Sequence, residues 1–159
     1  MVVTMHQLSA PDVLLDFEAN SKKAILQSLA AEASRRLGRA EQEILDALKA
    51  REKVGSTGLG RGVALPHARM DGIAPTMLFA RLRRPVDYEA PDEEPVDLVI
   101  LVLWPSEAPE GLLPTLAETC RAIREPEVLQ RLRAAKTPEA VVALVNRPSP
   151  EGAAGQPGV

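Results

Sequence analysis

The chain has 159 residues and a mass of 17.1 kDa, which suits one domain with its own core. Aromatic residues make up only 3% of it and the net charge is -3. This argues against base-stacking surfaces, aromatic sugar platforms and general nucleic-acid binding, although a local basic patch remains open. Cys120 is the only cysteine, so no internal disulfide forms and a reducing compartment fits. The longest apolar run, Leu98–Trp104, falls far short of the roughly 20 residues that span a bilayer. Met1–Gln7 lacks the basic and apolar regions of a signal peptide. A cytoplasmic protein without membrane insertion is expected.

In chain order, Val13–Phe17 reads as an edge strand. Asn20 or Ser21 can cap a helix from Lys22, whose apolar stripe Ile25, Leu29, Ala33 and Leu37 ends at Gly38. A second helix is predicted from about Ala40 to Ala50, with Glu41 and Glu43 at its positive end and Ile44, Leu45 and Leu48 facing inward. Val63-Ala64-Leu65 reads as a short strand. Thr76–Leu82 reads as another, broken by Arg83-Arg84-Pro85, and the acidic Asp87–Pro95 as a loop. Val96–Trp104 is almost wholly apolar, as in a central strand covered on both faces. Residues 109–124 predict a helix with Leu112, Leu113, Leu116, Cys120 and Ile123 on its inner face, and Glu127–Ala135 a further helical stretch. Thr137-Pro138-Glu139 opens the last helix, through Val145. The fold class is α/β, with helices packed on a mainly four- to five-stranded mixed sheet across 1–146. The proline- and glycine-rich residues 147–159 predict a disordered tail.

The stretch Gly55–Arg69 concentrates four of the ten glycines and ends beside His67, one of only two histidines. Pro66 fixes the approach to that histidine, and Leu65 before it is biased toward an extended conformation. Gly58, Gly60 and their neighbours free backbone N–H groups to approach a ligand, and Ser56 and Thr57 bring hydroxyls that donate to phosphate oxygens. Read locally, His67 is either a hydrogen-bonded residue at a strand end or a phosphoryl acceptor. The loop lacks the Lys-Ser/Thr ending of a nucleotide P-loop, the dinucleotide glycine spacing and a Gly-x-Ser-x-Gly elbow. No metal-ligand spacing is present, and neither metal nor cofactor is expected. His6 reads as solvated and Cys120 as core. Arg81, Arg83 and Arg84 read as a solvated strand edge able to meet an acidic partner.

Together, Arg51-Glu52-Lys53-Val54-Gly55-Ser56-Thr57-Gly58 and Val63-Ala64-Leu65-Pro66-His67 resemble the active-site signature of a known family. It is the enzyme IIA family of the fructose/mannitol class, from the bacterial phosphoenolpyruvate-dependent phosphotransferase system (PTS). The likeness is nearest to its nitrogen-regulatory (PtsN) branch. It runs from about Leu8 to Val145 and includes Ser21-Lys22-Lys23, Pro95-Val96-Asp97-Leu98 and Arg131-Leu132-Arg133-Ala134-Ala135.

The resemblance implies that His67 accepts a phosphoryl group on Nε2 from an HPr/NPr-type phosphohistidine carrier. Arg51 matches an arginine near the active site of relatives, and its fork suits bidentate phosphate contact. In the regulatory branch the phosphorylation state governs binding to target proteins such as kinases, transport proteins or metabolic enzymes. Relatives usually carry a second histidine at the start of the helix after the central strand, where this chain has Leu112. Two alternatives follow. One is a free-standing enzyme IIA that passes phosphate to an enzyme IIB for sugar uptake; the other is a binding module that has lost phosphotransfer.

Overall fold

The computed structural model describes residues 6–146; the tail expected to be disordered, 147–159, lies outside them. In chain order the elements are β1 (Val13–Phe17), α1 (Lys22–Leu37), α2 (Glu41–Val54), β2 (Gly58–Gly60), β3 (Val63–Ala64) and β4 (His67–Met70). They continue with β5 (Thr76–Val86), β6 (Val96–Pro105), α3 (Leu112–Arg124), α4 (Pro126–Ala134) and α5 (Pro138–Val145). One mixed sheet of six strands runs β1-β5-β6-β3-β2, with β4 also paired to β6.

The apolar run of β6 explains the layers. Val99, Leu101 and Leu103 pack with Ile25, Leu29, Ile44 and Leu48 of α1 and α2. The alternate residues Leu98, Ile100, Val102 and Trp104 pack with Ile123, Leu129, Leu132 and Val141 of α3, α4 and α5. The period of two along a strand thus feeds two cores, one on each face of the sheet. Ser21 caps α1 by accepting from the Ala24 N–H at 3.0 Å, and Gly38 ends it in the left-handed region at φ 67°. Thr137 caps α5 through the Ala140 N–H at 3.2 Å.

Several sequence expectations need correcting. The sheet gains β2 and β4, which carry glycine, charge and one histidine where apolar alternation would have announced a strand. Helix α2 runs past Ala50 to Val54, since nothing before Gly55 breaks it, and so places Arg51 in its last turn. Strand β5 continues through Pro85 to Val86. Beyond Leu82 it has no β1 partner, and its register against β6 shifts between Arg81 and Val86, so the missing proline donor is tolerated.

Leu113 points outward and is 74% exposed, because the inner stripe of α3 passes through Thr115 and Thr119. Burial of Thr119 is satisfied by a hydrogen bond to the Thr115 carbonyl at 2.8 Å. Pro114 falls in the first helical turn, where its missing N–H costs least. Cys120 is half-buried and packs against the margin of the second core. His6 is half-buried rather than solvated; its backbone N–H donates to Thr115 Oγ1 at 3.1 Å, and burial lowers its pKa. Arg81 is no open edge charge. Its Nη1 donates to the Leu132 carbonyl at 3.1 Å and the Ala135 carbonyl at 2.5 Å, closing the end of α4.

The glycines of the signature have distinct duties. Arg61 and Gly62 connect β2 to β3 with φ 58° and 82°, the positive pair of a two-residue type I′ hairpin turn. At Gly58 an added Cβ would lie 2.7 Å from Ala90 Cβ and 2.9 Å from Ala90 Cα, whereas at Gly55 it would meet nothing within 4 Å. Gly58→Ala should therefore destabilise the fold by about 1–3 kcal/mol, and Gly55→Ala should stay within about 0.5 kcal/mol of the parent. Urea unfolding of the two variants checks this; equal midpoints would contradict it.

Candidate functional site

Strands β3 and β4 lie along the same edge of β6 in one continuous register: Val63 opposite Leu98, Ala64 opposite Val99, then His67 opposite Val102 and Ala68 opposite Leu103. Between them Leu65 and Pro66 interrupt the strand, because Pro66 has no N–H to donate. The ladder is bridged there by the Val102 N–H, which donates to the Pro66 carbonyl at 3.0 Å. Leu65 directs its N–H to the Thr57 carbonyl at 2.9 Å, away from β6. Its own carbonyl then meets His67 Nδ1 at 2.9 Å. His67 thus opens a strand rather than ending one, and Leu65 is a site residue that no side-chain motif announces.

Two contacts determine the state of the imidazole. A carbonyl oxygen only accepts, so Nδ1 carries the proton. On the other side Arg51 Nε–H approaches His67 Nε2 at 3.3 Å, and a guanidinium only donates. Nε2 therefore presents its lone pair. Arg51 is itself held by the donation of Nη1 to the Gly55 carbonyl at 2.9 Å. The ring is half-buried in an open cleft of ≈ 630 Å³ whose walls include Ala50, Arg51, Arg69, Leu112 and Leu116, with the exposed Leu113 at its margin. Leu112, which begins α3 and is almost fully buried, thus shares the cleft with His67.

The remaining signature residues sit differently. Ser56 Oγ accepts from the Gly58 N–H at 3.1 Å and donates to the Tyr88 carbonyl at 3.3 Å. The hydroxyl of Thr57, a buried residue, donates to Glu52 Oε2 and lies 3.1 Å from the Tyr88 hydroxyl. Gly58 packs on Ala90, and Gly60 ends β2 at φ 92°, at the register shift against β3. None of these four lines the His67 cleft. Their hydrogen bonds and packing shape the segment that follows Arg51. No group of three or more His, Cys, Asp and Glu side chains among the described residues is placed to hold a metal ion.

This geometry makes a spectroscopic prediction. In the free protein with the ring neutral, ¹⁵N-resolved spectra of His67 should show the proton directly bonded to Nδ1 and none on Nε2. The reverse tautomer would contradict the arrangement.

Comparison with known proteins agrees with the fold. The profile of the family described as "Phosphoenolpyruvate-dependent sugar phosphotransferase system, EIIA 2" matches residues 7–147. A nitrogen regulatory protein of Bradyrhizobium diazoefficiens is 40% identical over 143 residues, covering 89% of this chain and 94% of that protein. The crystal structure of the nitrogen regulatory protein IIA-Ntr from Neisseria meningitidis superposes with a TM-score of 0.83 at 33% identity, covering 87% of this chain and 95% of that one. The mannitol enzyme IIA of Escherichia coli, solved in complex with phosphorylated enzyme IIB, shares the fold with a TM-score of 0.74 at 20% identity, over 87% of this chain and 96% of that one. No helix among the described residues is long and apolar enough to cross a membrane. The chain therefore belongs to the EIIA 2 family of the phosphoenolpyruvate-dependent sugar phosphotransferase system, on the side of its nitrogen regulatory proteins.

Proposed function

We propose that the protein is a phosphocarrier whose His67 accepts a phosphoryl group on Nε2 from the phosphohistidine of an HPr/NPr-type carrier, and that its phosphorylation state governs which target proteins it binds. The observation that carries this reading is the pair of opposed contacts on the imidazole. Leu65 keeps the proton on Nδ1, and the lone pair on Nε2 faces the cleft beside Arg51. A nucleophile needs that tautomer before the donor arrives.

In the transfer, the Nε2 lone pair attacks phosphorus and the bond from phosphorus to the donor's ring nitrogen breaks. The electron pair of that bond returns to the donor imidazole. His67 keeps its Nδ1 proton, so its ring becomes cationic as the new bond forms, and the Leu65 carbonyl stabilises that charge. Arg51, which touches Nε2 through a long contact, must leave the lone pair. Its fork can then meet the phosphoryl oxygens, where charge is spread in the transition state. The first turn of α3 opens at Leu112 on the same cleft, so the positive end of that helix favours the incoming anion. Regulation follows from the same event, since a phosphoryl group replaces a neutral ring edge with negative charge on the surface that partners meet.

Leu112 favours a second reading, a binding module without phosphotransfer. It occupies the cleft wall where relatives usually place a second histidine, and leucine donates nothing to phosphate.

Incubation with phosphoenolpyruvate, enzyme I and HPr or NPr, read by intact mass, decides between the two. One acid-labile phosphoryl group per chain is expected, and none in His67→Ala. Label that persists in His67→Ala would sink the site assignment, and no label with any carrier would favour the binding module. Arg51→Ala should take up the group about 100-fold more slowly, with Arg51→Lys between the two because it restores charge without the fork. An unchanged rate in Arg51→Ala would remove Arg51 from the machinery.

A further inference from the structure

Beneath the His67 cleft lies a second polar cluster that no step of the transfer uses. Its centre is Glu52, the residue after Arg51 on the last turn of α2, with a side chain only 7% exposed. Its Oε1 accepts from Lys22 Nζ at 2.9 Å and from the Thr57 N–H at 3.1 Å. Its Oε2 accepts from the Thr57 hydroxyl and from the Tyr88 hydroxyl, the latter at 3.3 Å. Tyr88 is fully buried, and its phenol is held protonated because burial and then the Glu52 charge raise its pKa. Lys22 Nζ lies 4.7 Å from the centre of the Tyr88 ring, within cation–π reach.

Four donors on one buried carboxylate, drawn from α1, the segment after α2 and the loop between β5 and β6, form a complete network. Breaking it from one side would leave a buried charge uncompensated. What this network holds is the short segment Glu52–Thr57. The side-chain bonds of Glu52 to Thr57 close it, and the Gly55 N–H donates to the Glu52 carbonyl at 3.1 Å. The Gly55 carbonyl in turn receives Arg51 Nη1 at 2.9 Å, while Arg51 Nε reaches His67. A path therefore runs from the carboxylate to Thr57, through the backbone to Gly55, and by Arg51 to the imidazole.

We propose that Glu52 is a positioning residue for phosphoryl transfer: it locks Thr57 and the Gly55 carbonyl so that the Arg51 guanidinium stays beside His67, poised to pass from Nε2 to the oxygens of the incoming phosphoryl group. This rests on the phosphocarrier reading for its consequence in rate, but the hold on Arg51 is a property of the free protein. The network also accounts for Thr57 without giving its hydroxyl a phosphate.

Two variants test it. Glu52→Gln preserves shape but removes the charge that meets Lys22, and Thr57→Val removes one donor at constant shape. Thermal melts identify a variant that stays folded. In such a variant, solvent exchange of the Arg51 Nε–H, read by ¹⁵N NMR on the free protein, should rise about 10-fold. The single-turnover rate of phosphoryl uptake should fall about 10-fold, with carrier affinity unchanged. Within the background Arg51→Ala, adding Glu52→Gln should cost almost no further rate, since the residue it positions is gone. Rates that multiply in the double variant, or an Arg51 exchange rate unmoved by either substitution, overturn the proposal. If the parent protein takes up no phosphoryl group, the phosphocarrier reading falls, and the exchange measurement alone decides whether Glu52 holds Arg51.

Discussion

The hydrogen bond from His67 Nδ1 to the Leu65 carbonyl is the contact on which the site depends. A neutral imidazole has two tautomers, and only a fixed acceptor on one nitrogen makes the other a dependable nucleophile. That acceptor exists because Pro66 interrupts a strand that otherwise keeps one register along β6. Without the interruption, Leu65 and His67 would be ordinary ladder residues. The buried central strand supplies the rigidity, since its alternate side chains anchor both helical layers. An imidazole mounted on that edge inherits the order of the whole core.

Electrostatics at the cleft come from helix ends of opposite sense. The last turn of α2 brings its negative end toward His67, which would oppose an arriving phosphoryl group. Arg51, placed on that turn, turns the local field the other way. Helix α3 begins at the opposite wall with its positive end. Leu112 at that wall offers no donor and puts apolar surface beside the ring. Arg51 is then left as the guanidinium in direct contact with the acceptor nitrogen, which raises the importance of whatever holds it.

Much of this was legible in the residues. The run Val96–Trp104 announced a central strand, and Asn20 or Ser21 with Gly38 marked both ends of α1, the structure selecting Ser21, because capping chemistry is local. The Pro66-His67 pair behind the glycines pointed to the site. What could not be read is where polar groups spend their hydrogen bonds. Ser56 and Thr57 looked like phosphate ligands, yet their hydroxyls are committed to Gly58, Glu52 and Tyr88. Tyr88 is distant in sequence and lies within an acidic loop, so nothing local pairs it with Glu52. The short strands β2 and β4 escaped for the same reason, since their pairing is dictated by β3 and β6 rather than by any pattern of their own. Leu113 shows the limit of helical periodicity: one position off the stripe is enough to turn a leucine outward.

On the phosphocarrier reading, the geometry around His67 selects one ring nitrogen for phosphorylation. The direct measurement is a phosphorus–proton correlation spectrum of the protein after transfer from its carrier, which distinguishes the two phosphohistidine isomers by which ring protons couple to phosphorus. Phosphorus on Nε2 is expected, with the Nδ1 proton retained toward Leu65. Phosphorus on Nδ1 would contradict it, because that nitrogen is the one the Leu65 carbonyl occupies.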